Sequence, residues 1–461
     1  MKYIFILFFY SCIGCEISGQ TGNDELAEDL ENFISNQMEI NNIPGLAASI
    51  IKDGQVVWST AMGLANIETN SPVTLETEFT LASISKLFAA TACAMLMEDG
   101  LLDLDADIND YLPFQISNPN FPNAPITTRQ LLTHKSSLSD SESDLQLWIE
   151  IGDPVYSLGN FCEAYFIEGG ALYNSGNWGS NGPGSSSYWY SNAGFTLLGF
   201  IVESVSEMPF NEYVNNTILA PLEMESAGWF YSEIDETDLA MPYNSNLIPY
   251  GYYSVPEYPA AMLKANVLEL SNFLICYTQG GLFNNEPLFS QEIFQAIVPE
   301  SLTNGLAWWG TDTWWGDPQG NYWSHGGYMN GVRTQLNYYP SDSTGLIILT
   351  NGEGSYNAIQ NEIESYIDQF LVEDPTNIQE RKIIDFVVYP NPTDLEIKLV
   401  FNENYIDVSK INLRTLSGNN LMTVIPNKSN FNIDVSHIST GTYILEIIYK
   451  GEVTTETISI L

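Results

Sequence analysis

The segment Thr80–Met97 constrains this chain most, because it is a run of small and apolar residues that still contains a lysine. Ser83 and Lys86 lie three residues apart, which places them on one face if the segment is helical. If Ser83 opens that helix, its oxygen lies at the positive end of the helix dipole. A serine needs a neighbouring base to act as a nucleophile, and burial lowers the pKa of a lysine enough for it to serve. The segment predicts a Ser-Lys pair, although the pattern alone also fits a serine that merely caps a helix.

Lys86 draws attention because cations are scarce around it. The 461 residues include 14 Lys and Arg against 57 Asp and Glu, which gives a net charge of -43. This balance excludes general nucleic-acid binding and argues against an anionic membrane surface as a partner. It indicates a protein that stays soluble in a salty or extracellular setting. Residues 21–380 contain only these cations: Lys52, Lys86, Arg129, Lys135, Lys264 and Arg333.

The amino terminus has the pattern of a secretory signal peptide. Lys2 precedes the apolar run Ile4–Tyr10, and small residues lead to a predicted cleavage near Gln20. Lipoprotein processing at Cys15 is the less favoured alternative, because a cysteine stands where such a motif usually has leucine. No later stretch has the length of a transmembrane helix. The signal peptide is therefore predicted to span residues 1–20.

Three cysteines remain after the signal peptide, at Cys93, Cys162 and Cys276. They are odd in number and widely spaced, so they do not predict a disulfide framework. We expect them to be small buried apolar residues.

The length and the distribution of charge predict more than one domain. Half of the Lys and Arg residues follow position 380, and this shift indicates a boundary near 373–386. We therefore expect a large domain at 21–372, a linker at 373–386 and a small module at 387–461. In the last of these, strand-like runs alternate with turns and helix signals are absent, which is typical of an all-β module.

The large domain is expected to be α+β, because hairpin signals and amphipathic helices both occur in it. Asp53-Gly54 is a strong hairpin signal between two strand-like runs. Residues 139–187 begin acidic and end rich in Gly, Ser and Asn, which predicts a long surface insertion of the kind that often forms a lid. The predicted helices are Asp24–Gln37, 126–134, Phe195–Val205, Ala260–Tyr277 and Asn357–Leu371, and the predicted strands are 46–52, 55–62, 331–339 and 344–350.

A tyrosine followed two residues later by asparagine is a second candidate motif. It occurs at Tyr190, Tyr213, Tyr328 and Tyr389, so the bare pattern carries little information. Only Tyr190-Ser191-Asn192 lies at a turn into a helix after a Gly-Ser loop, where side chains can face a cleft.

His325-Gly326-Gly327, ahead of a predicted strand, is the third candidate motif. Two glycines beside a group that can carry a positive charge would let a substrate backbone approach closely. The alternative is a hairpin turn with a solvent-facing histidine.

In this order, the three motifs resemble the serine β-lactamase and penicillin-binding-protein family. The likeness is to its class C-like branch, which includes class C β-lactamases, D-Ala-D-Ala carboxypeptidases, D-aminopeptidases and esterases. The resemblance covers roughly residues 24–370 and implies an antiparallel sheet with flanking helices and an all-helical lobe. Further runs that look like the family are Ile43-Pro44-Gly45-Leu46, Leu131-Leu132-Thr133-His134-Lys135-Ser136 and Pro221-Leu222-Glu223-Met224.

The resemblance implies a role for each motif residue. Ser83 would attack a carbonyl and form an acyl-enzyme, with Lys86 and Tyr190 sharing the acid and base work. Which of these two takes the first proton is left open by the sequence. Asn192 would bind the substrate amide, and the backbone N–H groups of Ser83 and Tyr328 would form an oxyanion hole.

His325 takes the place of the third-motif lysine of class C β-lactamases, as in carboxypeptidases and D-aminopeptidases, and Gly326-Gly327 would contact substrate. A histidine is a weaker cation at neutral pH, which lowers the expectation of efficient β-lactam hydrolysis. Arg333 would either bind a substrate carboxylate or be a charge on the strand surface. Ser137 and Glu223 stand where the family commonly has glycine, so local turn geometry is expected to shift.

Two other features are expected to be structural. His134 lies in a run that is structural in the family, so a helix-end contact is favoured over catalysis. The tryptophans near the third motif could form an aromatic rim for a sugar or an acyl chain, but packing is favoured. They are Trp308, Trp309, Trp314, Trp315 and Trp323.

The tail from Phe386 resembles the type A C-terminal sorting domain of type IX secretion substrates. This resemblance implies a Bacteroidetes-type enzyme that is exported through the periplasm, and is then secreted or held at the cell surface. The export machinery would be its partner, and the alternative is a β-sandwich that binds carbohydrate. The matching runs are Tyr389-Pro390-Asn391-Pro392-Thr393, Leu416-Ser417-Gly418 and Ser439-Thr440-Gly441-Thr442-Tyr443.

The sequence thus predicts an exported serine hydrolase that acts on a small amide or ester. D-amino-acid peptides, of carboxypeptidase or aminopeptidase type, come first and carboxylesters second. A β-lactamase is the alternative, and a non-catalytic binding protein on the same scaffold is the third possibility. The motifs imply no metal and no organic cofactor.

Overall fold

The computed structural model describes residues 24–140, 149–370 and 386–460, the last range without 390–392, 394, 402–407, 416–419, 427, 429, 450 and 451. The predicted signal peptide, its alternative at Cys15 and the linker up to residue 385 lie outside the described residues. The described chain divides into two compact units, one on each side of residues 371–385. Within these ranges, no helix is long and apolar enough to cross a membrane.

The first unit combines helices with a large antiparallel sheet, and the second consists of strands. The helices are α1 (Asp24–Asn41), α2 (Ser85–Glu98), α3 (Thr128–Leu132), α4 (Leu158–Phe166), α5 (Asn192–Ser206), α6 (Phe210–Val214), α7 (Tyr258–Ala261), α8 (Val267–Thr278), α9 (Gln291–Ile297) and α10 (Asn357–Tyr366), with 3-10 turns at Ala82–Ile84, Ile108–Asp110, Ser175–Asn177 and Tyr231–Glu233 and a π-helical turn at Asn215–Leu219.

The strands of the first unit are β1 (Gly45–Lys52), β2 (Gln55–Asn66), β3 (Ser71–Pro72), β4 (Phe79–Thr80), β5 (Glu150–Ile151), β6 (Tyr253–Ser254), β7 (Lys264–Ala265), β8 (Leu282–Phe283), β9 (Glu286–Pro287), β10 (Trp323–Met329), β11 (Val332–Tyr339) and β12 (Thr344–Thr350). Those of the second are β13 (Phe386–Tyr389), β14 (Glu396–Phe401), β15 (Val408–Thr415), β16 (Asn420–Val424), β17 (Asn430–Asp434), β18 (Gly441–Tyr449) and β19 (Glu452–Ile460).

The main sheet has six strands in the order β10-β11-β12-β1-β2-β3. The predicted hairpin at Asp53-Gly54 joins β1 to β2, and both turn residues have positive φ, of 49° and 77°. That combination is the one required by a two-residue hairpin turn whose twist matches the strands. β12 pairs with β1 and so joins the carboxyl-terminal strands to the amino-terminal hairpin. This leaves β10, with the third motif, at one edge of the sheet.

Each face of the sheet is covered by helices. On one face, α1 and α10 pack through a cluster that includes Leu30, Ile34 and Ile363. On the other face lies the larger core, which contains the apolar residues of α2 and α8. Eleven of the fourteen residues of α2 are buried, Lys86 included. The expected α+β architecture, with an antiparallel sheet, flanking helices and a helical lobe, is confirmed.

The predicted helix Ala260–Tyr277 is wrong as one continuous element. The chain forms the short helix α7, then the strand β7, and then α8. Lys264 in β7 pairs with Thr80 in β4, which takes its backbone out of helical geometry. Asn266 then caps α8, since its side-chain oxygen accepts a hydrogen bond from the N–H of Glu269 at 2.9 Å. The apolar pattern of the sequence continues across β7. The pairing of β7 with β4 therefore decides where the helices end.

The interpretation of residues 139–187 as a surface insertion is also only partly right. Residues 141–148 lie outside the described part of the chain. The remainder contains α4, whose Phe161 and Phe166 are buried, as is Trp178 further along. This part of the segment therefore contributes to the core of the helical lobe.

The two positions where glycine is usual in the family retain a left-handed backbone without glycine. Ser137 has φ of 65° and Glu223 has φ of 56°. Both residues therefore adopt a conformation that is strained for a residue with a Cβ and that glycine adopts freely.

The small carboxyl-terminal unit is all-β, as predicted. One sheet has the order β13-β14-β17 and the other β16-β15-β18-β19. Alternate residues such as Ile397, Leu399, Leu445 and Ile447 form its buried core, as expected where strands bury one face.

In the first unit, Cys93, Cys162 and Cys276 are free and buried, which confirms that they form no disulfide framework.

Candidate active site

Ser83 lies in a strained turn just before α2. The α-helix begins at Ser85, so Ser83 precedes it in the 3-10 turn Ala82–Ile84 rather than opening it. Ala82 has φ of 50°, a left-handed conformation that a residue with a Cβ rarely adopts. The hydroxyl of Thr334 donates to the carbonyl of Leu81 at 2.8 Å and so ties the turn to β11. The surrounding fold therefore holds the strained turn and presents the Ser83 hydroxyl to a cavity.

Lys86 is completely buried and reaches back to Ser83. Its ammonium nitrogen lies 3.2 Å from Ser83 Oγ, 2.7 Å from Asn192 Oδ1 and 2.8 Å from the carbonyl oxygen of Ala260. Desolvation by burial lowers the pKa of Lys86 to about 7, against an opposing effect of two nearby carboxyl groups. The amine therefore exchanges protons near neutral pH, as a general base must.

Tyr190 approaches the same hydroxyl from another side. Its phenol donates a hydrogen bond to Ser83 Oγ at 2.9 Å, and the Lys86 nitrogen lies 4.9 Å from its ring centroid. Burial raises the pKa of Tyr190 above its ordinary value, so the phenol stays protonated at neutral pH. Of the other Tyr-x-Asn tyrosines, Tyr213 is buried in the core, and Tyr389 belongs to the carboxyl-terminal unit.

A carboxylate that the sequence reasoning missed holds the tyrosine motif in place. Asp140 accepts hydrogen bonds from the Ser191 hydroxyl at 2.8 Å, the Asn192 N–H at 2.6 Å and the Ala193 N–H at 3.2 Å. An anion at the start of α5 is also favoured by the helix dipole. Asp140 belongs to the acidic start of the predicted insertion at residues 139–187. Only its contacts in the folded structure show that it holds the tyrosine motif.

His134 supports this motif from the other side, in keeping with the structural role expected for it. Its Nδ1 accepts a hydrogen bond from the Ser191 N–H at 3.2 Å, and its ring packs 4.4 Å from that of Tyr190. The side chain is buried, and desolvation lowers its pKa, so the ring is neutral. A neutral His134 can pack against the phenol without adding charge to the site.

The third motif lies within strand β10, and not in a turn ahead of a strand. A Cβ on Gly327 would lie 2.1 Å from Thr334 Oγ1 and 2.5 Å from the carbonyl oxygen of Leu81. Only glycine therefore lets this strand approach the turn that contains Ser83. The adjoining residues Gly326 and Tyr328 line the cavity together with Ser83.

His325 is buried and does not belong to the described cavity lining. Its ring stacks on Trp309 at 4.0 Å, and Nδ1 lies 3.0 Å from the carbonyl oxygen of Gly326. Because a carbonyl only accepts, Nδ1 carries the hydrogen. Desolvation, with the charge of Lys86, lowers the pKa of His325 well below its usual value. The weak cation expected at this position is thus a neutral ring.

Arg333 also lies outside the described cavity lining. Its Nη1 donates to the carbonyl oxygens of Met329 and Val332, at 2.6 and 2.7 Å. Its guanidinium carbon lies 5.1 Å from the ring centroid of Tyr328. These contacts match the alternative that Arg333 is a charge on the strand surface. They also occupy Nη1 of the guanidinium, which a substrate carboxylate would need for a two-point contact.

The cavity has a volume of about 390 Å³, which suits a small substrate. Trp308 and Trp323 are buried in the core, as the favoured packing interpretation predicts, whereas Trp309 and Trp315 contribute to the aromatic wall. Glu257, which the sequence reasoning missed, supplies a buried carboxyl. The lining consists of Ser83, Ile149, Tyr190, Asn192, Tyr253, Val255, Glu257, Ala261, Trp309, Trp315, Gly326, Tyr328, Met329 and Asn330.

Comparison with known proteins agrees with this geometry. Residues 30–365 match the family Beta-lactamase, and residues 387–461 match the Secretion system C-terminal sorting domain. The chain belongs to the β-lactamase family of serine hydrolases and carries a sorting domain of the kind found on exported proteins. Both resemblances drawn from the motifs are thereby confirmed.

Individual relatives are distant. Protein flp of Staphylococcus aureus is 22% identical over 337 residues, which cover 71% of this chain and 64% of that protein. The chain therefore spans less than two thirds of the length of that relative. The structure of a β-lactamase/D-alanine carboxypeptidase from Pseudomonas syringae is similar at 21% identity and a TM-score of 0.57, covering 77% of this chain and all of that one. EstCE1, a hydrolase with promiscuous acyltransferase activity, is similar at 20% identity and a TM-score of 0.58, covering 75% of this chain and 99% of that one.

Removing the carboxylate of Asp140 tests its role in positioning the tyrosine motif. We expect Asp140→Ala to lower kcat for p-nitrophenyl butyrate about 100-fold, because small misplacements of reacting groups have effects of this size. KM should change much less, since the residue lies outside the described cavity lining. Steady-state kinetics would measure both constants.

Asp105→Ala is the matched control, since Asp105 forms a surface ion pair with Arg129 and neither residue belongs to the described cavity lining. It should leave kcat unaltered. An Asp140→Ala enzyme with the kcat of the native protein would contradict the positioning role.

Proposed function

We propose that the domain is a serine hydrolase that forms an acyl-enzyme at Ser83 with a small amide or ester. The observation that carries the proposal is the convergence of the Lys86 nitrogen and the Tyr190 phenol on Ser83 Oγ, at 3.2 and 2.9 Å. One group can remove a proton from the hydroxyl while the other returns one to the leaving group. Both distances are compatible with direct proton transfer.

Lys86 is the proposed first base. A neutral amine has two N–H bonds and one lone pair. The oxygens of Asn192 and Ala260 can use both N–H bonds, which directs the lone pair toward Ser83 Oγ. Tyr190 would have to lose its own proton to serve first, and its raised pKa opposes this.

The remaining steps follow from the same atoms. As Ser83 Oγ bonds to the substrate carbonyl carbon, its proton passes to Lys86, and the backbone N–H groups of Ser83 and Tyr328 stabilise the oxyanion. Tyr190 donates its proton to the leaving amine or alcohol and regains one from Lys86. The carbon–nitrogen or carbon–oxygen bond then breaks, and water repeats the sequence on the acyl-enzyme. Asn192 is the proposed amide contact for the substrate.

D-amino-acid peptides and carboxylesters remain the first and second proposed substrate classes. Two similar structures are named a β-lactamase/D-alanine carboxypeptidase and a hydrolase with promiscuous acyltransferase activity, which supports acyl transfer from small amides or esters without selecting one substrate. The neutral state of His325 lowers the rank of β-lactams and, within the first class, of carboxypeptidase substrates below aminopeptidase substrates, because both carry a carboxylate that needs a cationic partner. The sorting domain favours action on an extracellular or surface substrate.

Replacing the proposed nucleophile is the direct test. Ser83→Ala should reduce hydrolysis of p-nitrophenyl butyrate to background and should abolish labelling by a fluorophosphonate probe. Ser85→Ala is the matched control, because Ser85 lies in the same motif but accepts a hydrogen bond from the Leu263 N–H at 3.1 Å. It should remain active and labelled, with a loss of stability of about 1 kcal/mol. Full turnover by Ser83→Ala would refute the proposal, and a native protein that neither labels nor turns over would favour a binding role.

The pKa of Lys86 predicts the pH dependence. Since the active base is the neutral amine and its pKa is lowered to about 7, kcat/KM for a neutral ester should rise as the pH increases through about 7. Lys86→Arg should lower kcat/KM about 10²- to 10⁴-fold and remove this limb, because a guanidinium stays protonated. Initial rates between pH 5.5 and 8 would measure the limb, and a flat native profile would contradict the role of Lys86.

Nitrocefin separates a peptidase or esterase from a β-lactamase. We expect its kcat/KM to be at least about 10-fold lower than that of p-nitrophenyl butyrate, since a charged hydrogen bond contributes about 1.5–3 kcal/mol and the described lining supplies no cation for the carboxylate. D-alanine p-nitroanilide would be measured beside them. If nitrocefin were the best of the three substrates, the β-lactamase alternative would replace the proposed function.

A further inference from the structure

Glu257 is a buried carboxyl that the proposed reaction does not use. It is 2% exposed and it lines the cavity beside Ser83, yet its Oε2 has no hydrogen-bond partner in the described structure. Burying a polar atom without a partner is unfavourable, so such atoms are found where a ligand or an ion completes the contacts. Glu78 Oε2 is unpartnered as well, but Glu257 lines the cavity, so a ligand in the cavity can complete the contacts of its oxygen.

The charge of the surroundings defines that partner. The described residues that line the cavity include no Lys, Arg or His. Desolvation raises the pKa of Glu257 to about 8; Asp140 adds to this effect, while the residue's own N–H and Lys86 oppose it. A positive ligand would reverse the effect of burial and favour the ionised carboxylate. An anionic ligand would meet no compensating charge in the described lining.

The aromatic walls of the cavity also favour a positively charged ligand. Trp309 and Trp315 lie 5.4 Å apart by their ring centroids, and Trp315 lies 5.4 Å from Tyr190. Tyr253 and Tyr328 also belong to the described lining, which adds two aromatic rings to the cavity. The faces of aromatic rings attract ammonium groups, and quaternary ammonium ligands are commonly bound by such enclosures.

We infer that the substrate carries a positively charged amino group, which Glu257 binds against the aromatic wall. Glu257 is then a specificity-determining residue, and the inference rests on the proposed acyl-enzyme function. It narrows the substrate class to cationic amides or esters. The strongly acidic chain, with a net charge of -43, also attracts such substrates.

Glu257 has a second conceivable role, because its charge and that of Lys86 affect each other's pKa. As a positioning residue for Lys86, it would influence every substrate equally. The two roles differ in the ratio of kcat/KM for matched cationic and neutral substrates. That ratio is insensitive to a general loss of activity or of folded protein.

The experiment uses the full chain and two pairs of esters that differ only in charge. The first pair carries the charge on the acyl group: p-nitrophenyl 4-(trimethylammonio)butyrate and its neutral isostere p-nitrophenyl 5,5-dimethylhexanoate. The second carries it on the leaving group: butyrylthiocholine and 3,3-dimethylbutyl thiobutyrate. The enzymes are the native protein, Glu257→Gln and Glu78→Gln.

Glu78 is the matched control because it is also a buried carboxyl with a raised pKa, of about 7, but it lies outside the described cavity lining. For at least one pair, the native enzyme should prefer the cation, and Glu257→Gln should reduce that ratio about 10- to 100-fold, because it removes the charge that attracts the ammonium group. Glu78→Gln should leave the ratio unchanged. A native enzyme without preference for either cation, or an unchanged ratio in Glu257→Gln, would overturn the inference.

The pH dependence of the ratio gives an independent check. A quaternary ammonium keeps its charge at every pH, so a change in the ratio reports ionisation of the protein. Since the pKa of Glu257 is raised to about 8, the carboxylate forms as pH increases, and the ratio should rise between pH 6 and 9. A ratio that is constant or falls over this range would overturn the inference. Turnover of the neutral esters with loss of activity in Ser83→Ala would show that the proposed function survives such a result.

Discussion

The candidate site depends on the burial of one ammonium group. Lys86 lies in a helix whose residues are mostly buried, so the free energy of removing its charge from water is unfavourable. Three oxygen atoms within 3.2 Å offset part of that cost and hold the nitrogen beside Ser83. Burial still dominates and lowers the pKa to about 7. The fold thus lowers the affinity of this amine for its proton, as the proposed role of Lys86 as a base requires.

A lowered lysine pKa does not by itself define a site. Lys264 is also completely buried, and desolvation lowers its pKa to about 7 as well. Its nitrogen donates to the carbonyl oxygen of Trp229 at 2.7 Å and lies 4.0 Å from the ring centroid of Tyr231. Lys86 differs because a hydroxyl on a strained turn lies beside it. The position of Lys86 beside Ser83, and not its lowered pKa alone, therefore distinguishes the candidate site from the surroundings of Lys264.

The sequence predicted elements where local signals and tertiary structure agree. The Asp53-Gly54 hairpin and the two predicted carboxyl-terminal strands of the large domain formed as expected, since turn chemistry and alternation specify them locally. The helix Ala260–Tyr277 was wrong because pairing of Lys264 with Thr80 interrupts an otherwise continuous apolar pattern. Asp140 and Glu257 were missed because an isolated acidic residue in an acidic chain carries no distinguishing signal.

By itself, the sequence determined the family, the sorting tail and the three motifs, because these depend on residue types at fixed spacing. Tertiary structure alone decided which groups meet. Residues 83, 192 and 260 are far apart along the chain, and only the packing of α2, α5 and α7 brings their oxygen atoms around the Lys86 nitrogen. It also decided that His325 is a neutral ring behind Trp309 and that a carboxyl faces the cavity. Protonation state and exposure depend on the surroundings of a side chain, and no local pattern contains those surroundings.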